Sequence, residues 1–372
     1  MNNKIVLFTA RHGLLDGFIA RTAEKVPTYF FHPDVRAPVV VGKAEQITVT
    51  SKTFGLASLF TWLKLETLTP SYVKHFNEKV RGKNIDTIIT LDFFRFLFVQ
   101  ALLYKKRHPD VKLFVYSETQ RWPRNIVSCL GMWFFWQFFK MNIMHINKIF
   151  VFTEQGRIFF ENRLGGKVPI VLIPAPIDID RFFPDSDKVF MRSGIFRLVM
   201  NARFTEYKNH KDLFDALYIV KQKGIKFQLT LIGRGGHLKG NLLKYAEELG
   251  LSEDIKYIEA MPYEKMRDLY ISQDILVLPS YNEAIGMVVP EAMACGIPTI
   301  TSDTVGSNTY VKDGETGLVF KTGDAEDLAK SLIKMANNIV LNKFSLEARN
   351  ETERHFALGL IGKKFLKEIE IV

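Results

Sequence analysis

Pro174-Ala-Pro176-Ile-Asp178-Ile-Asp180-Arg-Phe-Phe-Pro184-Asp185-Ser-Asp187 interrupts an otherwise regular chain. Three prolines and four aspartates in fourteen residues leave no apolar period, so the stretch reads as a linker. On both sides of it, short apolar runs alternate with helical stretches. Before it, residues 4–9, 38–41, 87–91, 111–116, 148–153 and 170–173 read as buried strands, the first leading into a helix near Leu14. Residues 93–106, stopped by His108-Pro109, and the aromatic stretch 125–147 read as helices. After it, strands are expected at 196–200, 227–232, 255–259, 275–279, 299–302 and 317–321. Helices are expected at 210–224, 238–249, 263–272, 288–295, 325–336 and 345–370. Continuous apolar strands separated by helices call for parallel sheets covered on both faces. The expected fold class is α/β, with two doubly wound Rossmann-like domains facing across a cleft. Residues 1–175 form the first and 186–350 the second, and the terminal helix 351–372 is a candidate to cross back onto the first.

A length of 372 residues fits two domains at roughly 150 residues each. With 47% hydrophobic residues the chain has ample core, which excludes an intrinsically disordered protein. Two cysteines, Cys129 and Cys295, cannot make a disulfide framework or a zinc site of their own, and fit a reducing compartment. The net charge of +10 is unevenly placed. Residues 1–150 hold 21 Lys and Arg against 10 Asp and Glu, an excess of 11, while residues 151–372 hold 29 against 30. All four tryptophans (Trp62, Trp122, Trp133, Trp136) lie in the first part. Nucleic acid and anionic lipid both attract such a half. The apolar run at the start is too short for a secretory signal, and no run reaches the about 20 residues of a spanning helix. The expected location is cytoplasmic, peripheral on the cytoplasmic face of a membrane.

The stretch Pro279-Ser-Tyr-Asn-Glu283-Ala-Ile-Gly286-Met287-Val-Val-Pro290-Glu291-Ala-Met-Ala-Cys-Gly296-Ile-Pro298 runs from a strand end through a loop into a helix. Gly286 permits close backbone approach, Pro290 suits a first helical turn, and free N–H groups at a helix start favour phosphate. Carboxylates repel phosphate, so the partners of Glu283 and Glu291 are neutral hydroxyls, a sugar on one side and a ribose on the other. Acidic residues also gather near helix starts for dipole reasons alone. Asn201-Ala-Arg203-Phe-Thr-Glu-Tyr-Lys208-Asn-His210 follows the first strand of the second half, where this topology binds ligands. Arg203 and Lys208 can neutralise a departing diphosphate, or belong to a solvated basic loop. Gly233-Arg-Gly235-Gly236 is placed like a phosphate loop but lacks the dinucleotide fingerprint spacing.

Residues 129–140 carry six aromatic rings, flanked by Arg121, Arg124, Lys140 and Lys148. They suit either an interfacial helix on anionic lipid or a core helix; the basic excess favours the former. The histidines show no metal spacing, so no metal site is expected. His12 lies in the first loop, and His210 reads as a packing or capping residue.

Together these motifs resemble the retaining, nucleotide-sugar-dependent glycosyltransferases of the GT-B fold, glycosyltransferase family 4 (glycosyl transferases group 1). The resemblance runs from about Leu172 to Phe320 and adds the linker and Asp313-Gly-Glu-Thr-Gly317. It implies that Arg203 and Lys208 bind the donor diphosphate and that Glu283 contacts the transferred sugar. It implies that the backbone at Gly286 and Met287 holds phosphate and sugar, that Gly233 lies in the donor site, and that Glu291 binds ribose hydroxyls. Gly13 would approach the diphosphate from the first domain. The implied co-substrate is a UDP-, GDP- or ADP-sugar, without metal, and the implied acceptor is a glycan or lipid-linked glycan, in cell-surface polysaccharide or glycolipid synthesis. Ala284 and Ile285 stand where Gly and Phe are common in that family. Tyr116-Ser117-Glu118 stands where many relatives carry a histidine, which makes Glu118 and His12 the candidate sugar contacts of the first domain. A sugar-nucleotide epimerase or phosphorylase of the same fold, and a non-catalytic sugar-nucleotide-binding module, are the alternatives. Nucleic-acid binding explains the basic half but not the two glutamates.

Overall fold

A computed structural model describes residues 6–9, 16–32, 43–48, 78, 80–94, 96–120, 126–303 and 306–371. The chain divides into two compact units, Met1–Pro176 with Ile361–Val372, and Ile177–Leu360. Each is built on one parallel sheet with helices between strands, so the expected α/β, doubly wound class is the one found.

Among its described residues the first unit holds seven strands: β1 (Val6–Thr9), β2 (Thr28–His32), β3 (Glu45–Thr48), β4 (Thr87–Leu91), β5 (Lys112–Ser117), β6 (Lys148–Val151) and β7 (Ile170–Leu172). They lie in the order β3-β2-β1-β4-β5-β6-β7, all parallel. The run expected at 38–41 lies outside the described residues. The strands at Thr28–His32 and Glu45–Thr48 were not expected from the sequence, because Thr, His and Gln dilute the apolar signal. Strand β4 is buried along its whole length, which is why its run Thr-Ile-Ile-Thr-Leu is legible without alternation.

Among its described residues the second unit holds six strands: β8 (Phe196–Asn201), β9 (Phe227–Ile232), β10 (Ile255–Ile258), β11 (Ile275–Leu278), β12 (Thr299–Ser302) and β13 (Gly317–Phe320). Their order is β10-β9-β8-β11-β12-β13. Pairing of Ile275 with Leu198 and Leu276 with Val199 sets β11 beside β8. The chain winds one way from β8 and the other way from β11, so a crevice opens beyond the C-terminal ends of this pair.

The terminal helix expected over 345–370 is instead two helices, Asn338–His355 and Leu358–Glu368. The break comes from the linker. Ile177 donates its N–H to the Phe356 carbonyl at 2.9 Å and accepts from Leu358 N–H at 2.8 Å, so residues 356–358 bridge to extended chain and cannot stay helical. Phe356 also seats its ring against Tyr310, centroids 4.6 Å apart. Past the break, the second helix packs on the first unit. The Phe365 ring lies 4.4 Å from Phe18 and 5.7 Å from Phe150, and Lys148 pairs with Glu368 at 2.8 Å.

The first unit's core is rich in rings. Phe93 lies 5.4 Å from Trp136, 4.9 Å from Phe139 and 5.9 Å from Phe160, mostly in tilted or edge-on contact. No helix among the described residues is long and apolar enough to cross a membrane.

Candidate functional site

The polar residues singled out in the second half come together because β8 and β11 are neighbours. The loop after β8 carries Arg203 and Lys208, and the loop after β11 carries Glu283. Tyr281 N–H donates to the Tyr207 carbonyl at 2.8 Å and ties the two loops to one another. The Lys208 ammonium then forms an ion pair with the Glu283 carboxylate, 75 residues away in sequence. Both side chains are largely but not fully buried, at 13% and 18% exposure, so the pair is shielded yet reachable. Arg203 is exposed, and its guanidinium donates to the Tyr207 hydroxyl at 2.8 Å.

Two close approaches hold this arrangement. Gly306, in the loop after β12, donates its N–H to the Glu283 carbonyl at 2.9 Å. A Cβ at Gly306 would stand 2.1 Å from the Ala284 carbonyl oxygen, so only glycine lets the backbones approach this closely. Gly233 and Gly236 do the same for the loop after β8: a Cβ on either would meet the Ala202 or Phe204 carbonyl at 2.1 and 2.2 Å. Gly233 therefore packs directly behind the loop that carries Arg203. The sequence places Gly233 like a phosphate loop without the fingerprint spacing; in the structure both it and Gly306 are close-packing glycines.

Gly286 has φ +66°, a left-handed turn that leads into the helix Val288–Ala294. Among the described residues no backbone carbonyl accepts from the N–H groups of Gly286, Met287 or Val288, which lie at that helix start. Pro290 sits in the first turn, where its missing N–H is no loss.

Glu291 differs sharply from Glu283. It is buried, at 6% exposure, and each oxygen takes a tyrosine hydroxyl: Tyr263 donates to Oε1 at 3.1 Å and Tyr270 to Oε2 at 2.9 Å. Burial outweighs these hydrogen bonds and the nearby Arg181 charge, and pushes its pKa up to about 7. Desolvation and the Glu291 charge raise both tyrosines in turn. Each Glu291 oxygen retains a second lone pair able to accept a hydroxyl. The two tyrosines were not singled out from the sequence, where Tyr263 and Tyr270 look like ordinary helix residues.

His210 is a packing residue. It is buried, stacked on Phe204 with centroids 4.6 Å apart, and burial followed by the Lys208 charge lowers its pKa to about 4, so it stays neutral. Burial pushes the Cys295 thiol up to about 12, an unreactive group. In the first unit Glu118 follows the C-terminal end of β5, and its N–H donates to Asp92 Oδ1 at 3.0 Å. Asp92 is buried with φ +60°, and also takes the Ser117 hydroxyl at 2.8 Å. Tyr116 is fully buried, stacked on Phe152 at 4.2 Å. His12 and Gly13 lie outside the described residues.

Residues 185–351 match the family model for glycosyl transferases group 1. A D-inositol 3-phosphate glycosyltransferase of Corynebacterium jeikeium is 33% identical over 180 residues, 45% of this chain and 43% of that protein. In sequence, the chain spans less than half the length of the first curated relatives it matches. In structure the likeness is wider. Sucrose-phosphate synthase from Thermosynechococcus elongatus superposes with a TM-score of 0.79 over 99% of this chain and 98% of that one, at 17% identity. Anabaena HepE in complex with UDP-glucose gives 0.77 over 99% and 100%, at 15% identity. The whole chain thus has the fold of these two-unit α/β proteins, the GT-B class, and its residues 185–351 are similar to the glycosyl transferases group 1 family.

Proposed function

We propose that the protein is a retaining glycosyltransferase that moves a sugar from a nucleotide-diphosphate donor to a glycan or lipid-linked acceptor. The observation that carries this reading is the largely buried Lys208–Glu283 pair at the crevice between β8 and β11, with Arg203 on the same loop as Lys208. A cation and a carboxylate fixed side by side suit a ligand with an anionic half and a hydroxylated half. Lys208 and Arg203 take the diphosphate, and the N–H groups at Gly286 and Met287 add donors to its oxygens. Glu283 accepts from a hydroxyl of the transferred sugar. Glu291, with its remaining lone pairs, accepts from the ribose hydroxyls.

In the reaction the bond from the sugar anomeric carbon to the diphosphate oxygen breaks as the acceptor hydroxyl attacks from the same face. The acceptor proton passes to the departing diphosphate, and configuration is retained. Lys208 and Arg203 stabilise the negative charge that grows on the leaving oxygens, which is where fixed cations accelerate most. The proposed co-substrate is a UDP-, GDP- or ADP-sugar, and no metal is required. The first unit is the acceptor side, with Glu118 and His12 as its sugar contacts. Supporting these assignments, a curated relative is named a glycosyltransferase and a fold neighbour binds UDP-glucose. The proposed setting is cell-surface polysaccharide or glycolipid synthesis, on the cytoplasmic face of a membrane.

A thermal-shift screen with UDP-, GDP- and ADP-sugars tests the donor assignment, because a ligand bound only by the folded state raises the melting temperature. One sugar nucleotide should raise it, and a Lys208→Ala variant should lose the shift. No shift with any of them, or an undiminished shift in the variant, overturns the assignment.

A further inference from the structure

The helix Ile126–Met141 is apolar on two faces, and only one of them is used by the core. Met132, Phe135, Trp136 and Phe139 are buried against Phe93, Phe98, Phe159 and Phe160. On the opposite face Leu130, Trp133, Phe134 and Met141 recur at a spacing of three, one and seven residues, which is one helical stripe. Their exposures are 64%, 56%, 67% and 79%, and Met144 just beyond the helix is 83% exposed. A solitary exposed apolar residue needs no explanation, but five on one strip of surface do.

The strip lies in a cationic setting. Lys140 is exposed on the same helix, and the neighbouring helix Phe96–Arg107 ends in Lys105, Lys106 and Arg107. His145, beside Met144, is held below its usual pKa by desolvation and then by the positive charges of Lys106 and Lys105, so those lysines stand near the same end of the strip. A second copy of this chain would bring like charges against one another. An anionic bilayer offers the complement: acyl chains for the rings and methionines, headgroups for the lysines.

We infer that the outer face of Ile126–Met141 seats on an anionic lipid surface, with Trp133 and Phe134 in the headgroup–acyl boundary and Lys105, Lys106 and Lys140 on the headgroups. This deepens the reading of a membrane-borne acceptor and rests on it for its purpose, though not for its geometry. The first unit is docked by this face while the chemistry stays in water.

Co-sedimentation with vesicles tests it, using phosphatidylcholine alone and phosphatidylcholine mixed with phosphatidylglycerol. The full chain should sediment with the mixed vesicles, more at low salt than at high salt, and poorly with phosphatidylcholine alone. The double substitution Trp133→Ser with Phe134→Ser should weaken binding by about tenfold or more for each ring lost, without changing the melting temperature. Lys105→Glu with Lys106→Glu should weaken binding and flatten its salt dependence. No sedimentation of the full chain, or undiminished sedimentation of the ring variant, overturns the inference. So does a dimer in analytical ultracentrifugation that the ring variant converts to monomer, which makes the face a subunit contact. The sugar-nucleotide shift, measured on the same samples, separates the two readings. If it persists while vesicle binding fails, only the membrane face is lost; if it fails while vesicle binding holds, only the donor assignment is lost.

Discussion

The crevice loops of the second unit and the aromatic helix of the first are built on opposite logics. In the crevice, few residues matter and each is held by a specific backbone device. Gly306 presses on Ala284, Gly233 presses on Ala202, and Tyr281 is tied to Tyr207, so that Lys208 meets Glu283. On the aromatic helix no single residue is held in that way; a wide apolar face is repeated on both sides. Precision belongs where charge must be placed to within an ångström, and redundancy where a surface only has to be apolar and near lysines. The pair of glutamates shows how fine the first logic is. Eight residues apart, Glu283 is paired with an ammonium and Glu291 is sunk between two phenols.

Four variants can break or sharpen this contrast. The largest effect is expected at Lys208. Lys208→Ala should lower turnover about 10²-fold or more while the protein still folds, since one charge-stabilising group is removed where charge develops. Steady-state kinetics with the donor found in the thermal-shift screen measures it, and near-normal turnover would remove Lys208 from the chemistry. Next is Gly306→Ala. The added Cβ has no room beside the Ala284 carbonyl, so the loop bearing Glu283 must shift, at about 1–3 kcal/mol of stability and with loss of activity. Chemical denaturation reads the first and kinetics the second; an unperturbed variant means that the loops are not locked together.

The third concerns Glu291. A carboxyl whose folded pKa is about 7, above its usual 4.5, binds protons in the fold that the unfolded chain has released. Stability from this group is therefore full below about pH 4.5 and is lost as pH rises toward 7. Glu291→Gln removes the titration. Its melting temperature relative to the unaltered protein should improve between pH 5 and pH 8, by a few degrees. A pH-independent difference means that the carboxyl does not titrate there. The smallest effect is the one already given for Trp133→Ser with Phe134→Ser, whose melting should stay unchanged because exposed side chains contribute little to the folded state. A large drop would show that the outer face is core after all.

Much of the second unit was legible before any coordinates. The run Ile275–Leu278 is a continuous apolar strand, and a helix stop at Gly296 follows from local rules. The loops after β8 and β11 were recognisable because strand, loop and helix follow each other within a few residues. The first unit was harder. Strands β2 and β3 are short and diluted by polar residues, and the terminal helix could not be seen to break at residue 356, because its interruption is made by Ile177. The same holds for Tyr263 and Tyr270, whose only distinction is that they reach Glu291.

The sequence by itself determined where strands and helices alternate, that a proline- and aspartate-rich linker divides them, and which polar residues stand at strand ends. These are local properties, set by apolar period, prolines and glycines within a window of some ten residues. Only the tertiary structure decided that β11 lies beside β8, and with it that Lys208 finds Glu283 rather than solvent. Only it decided that Glu291 is buried and that Trp136 faces the core while Trp133 faces out. Strand order and burial are non-local. A helix apolar all round carries no mark of which side the sheet will take, and a carboxylate carries no mark of how much water it will lose.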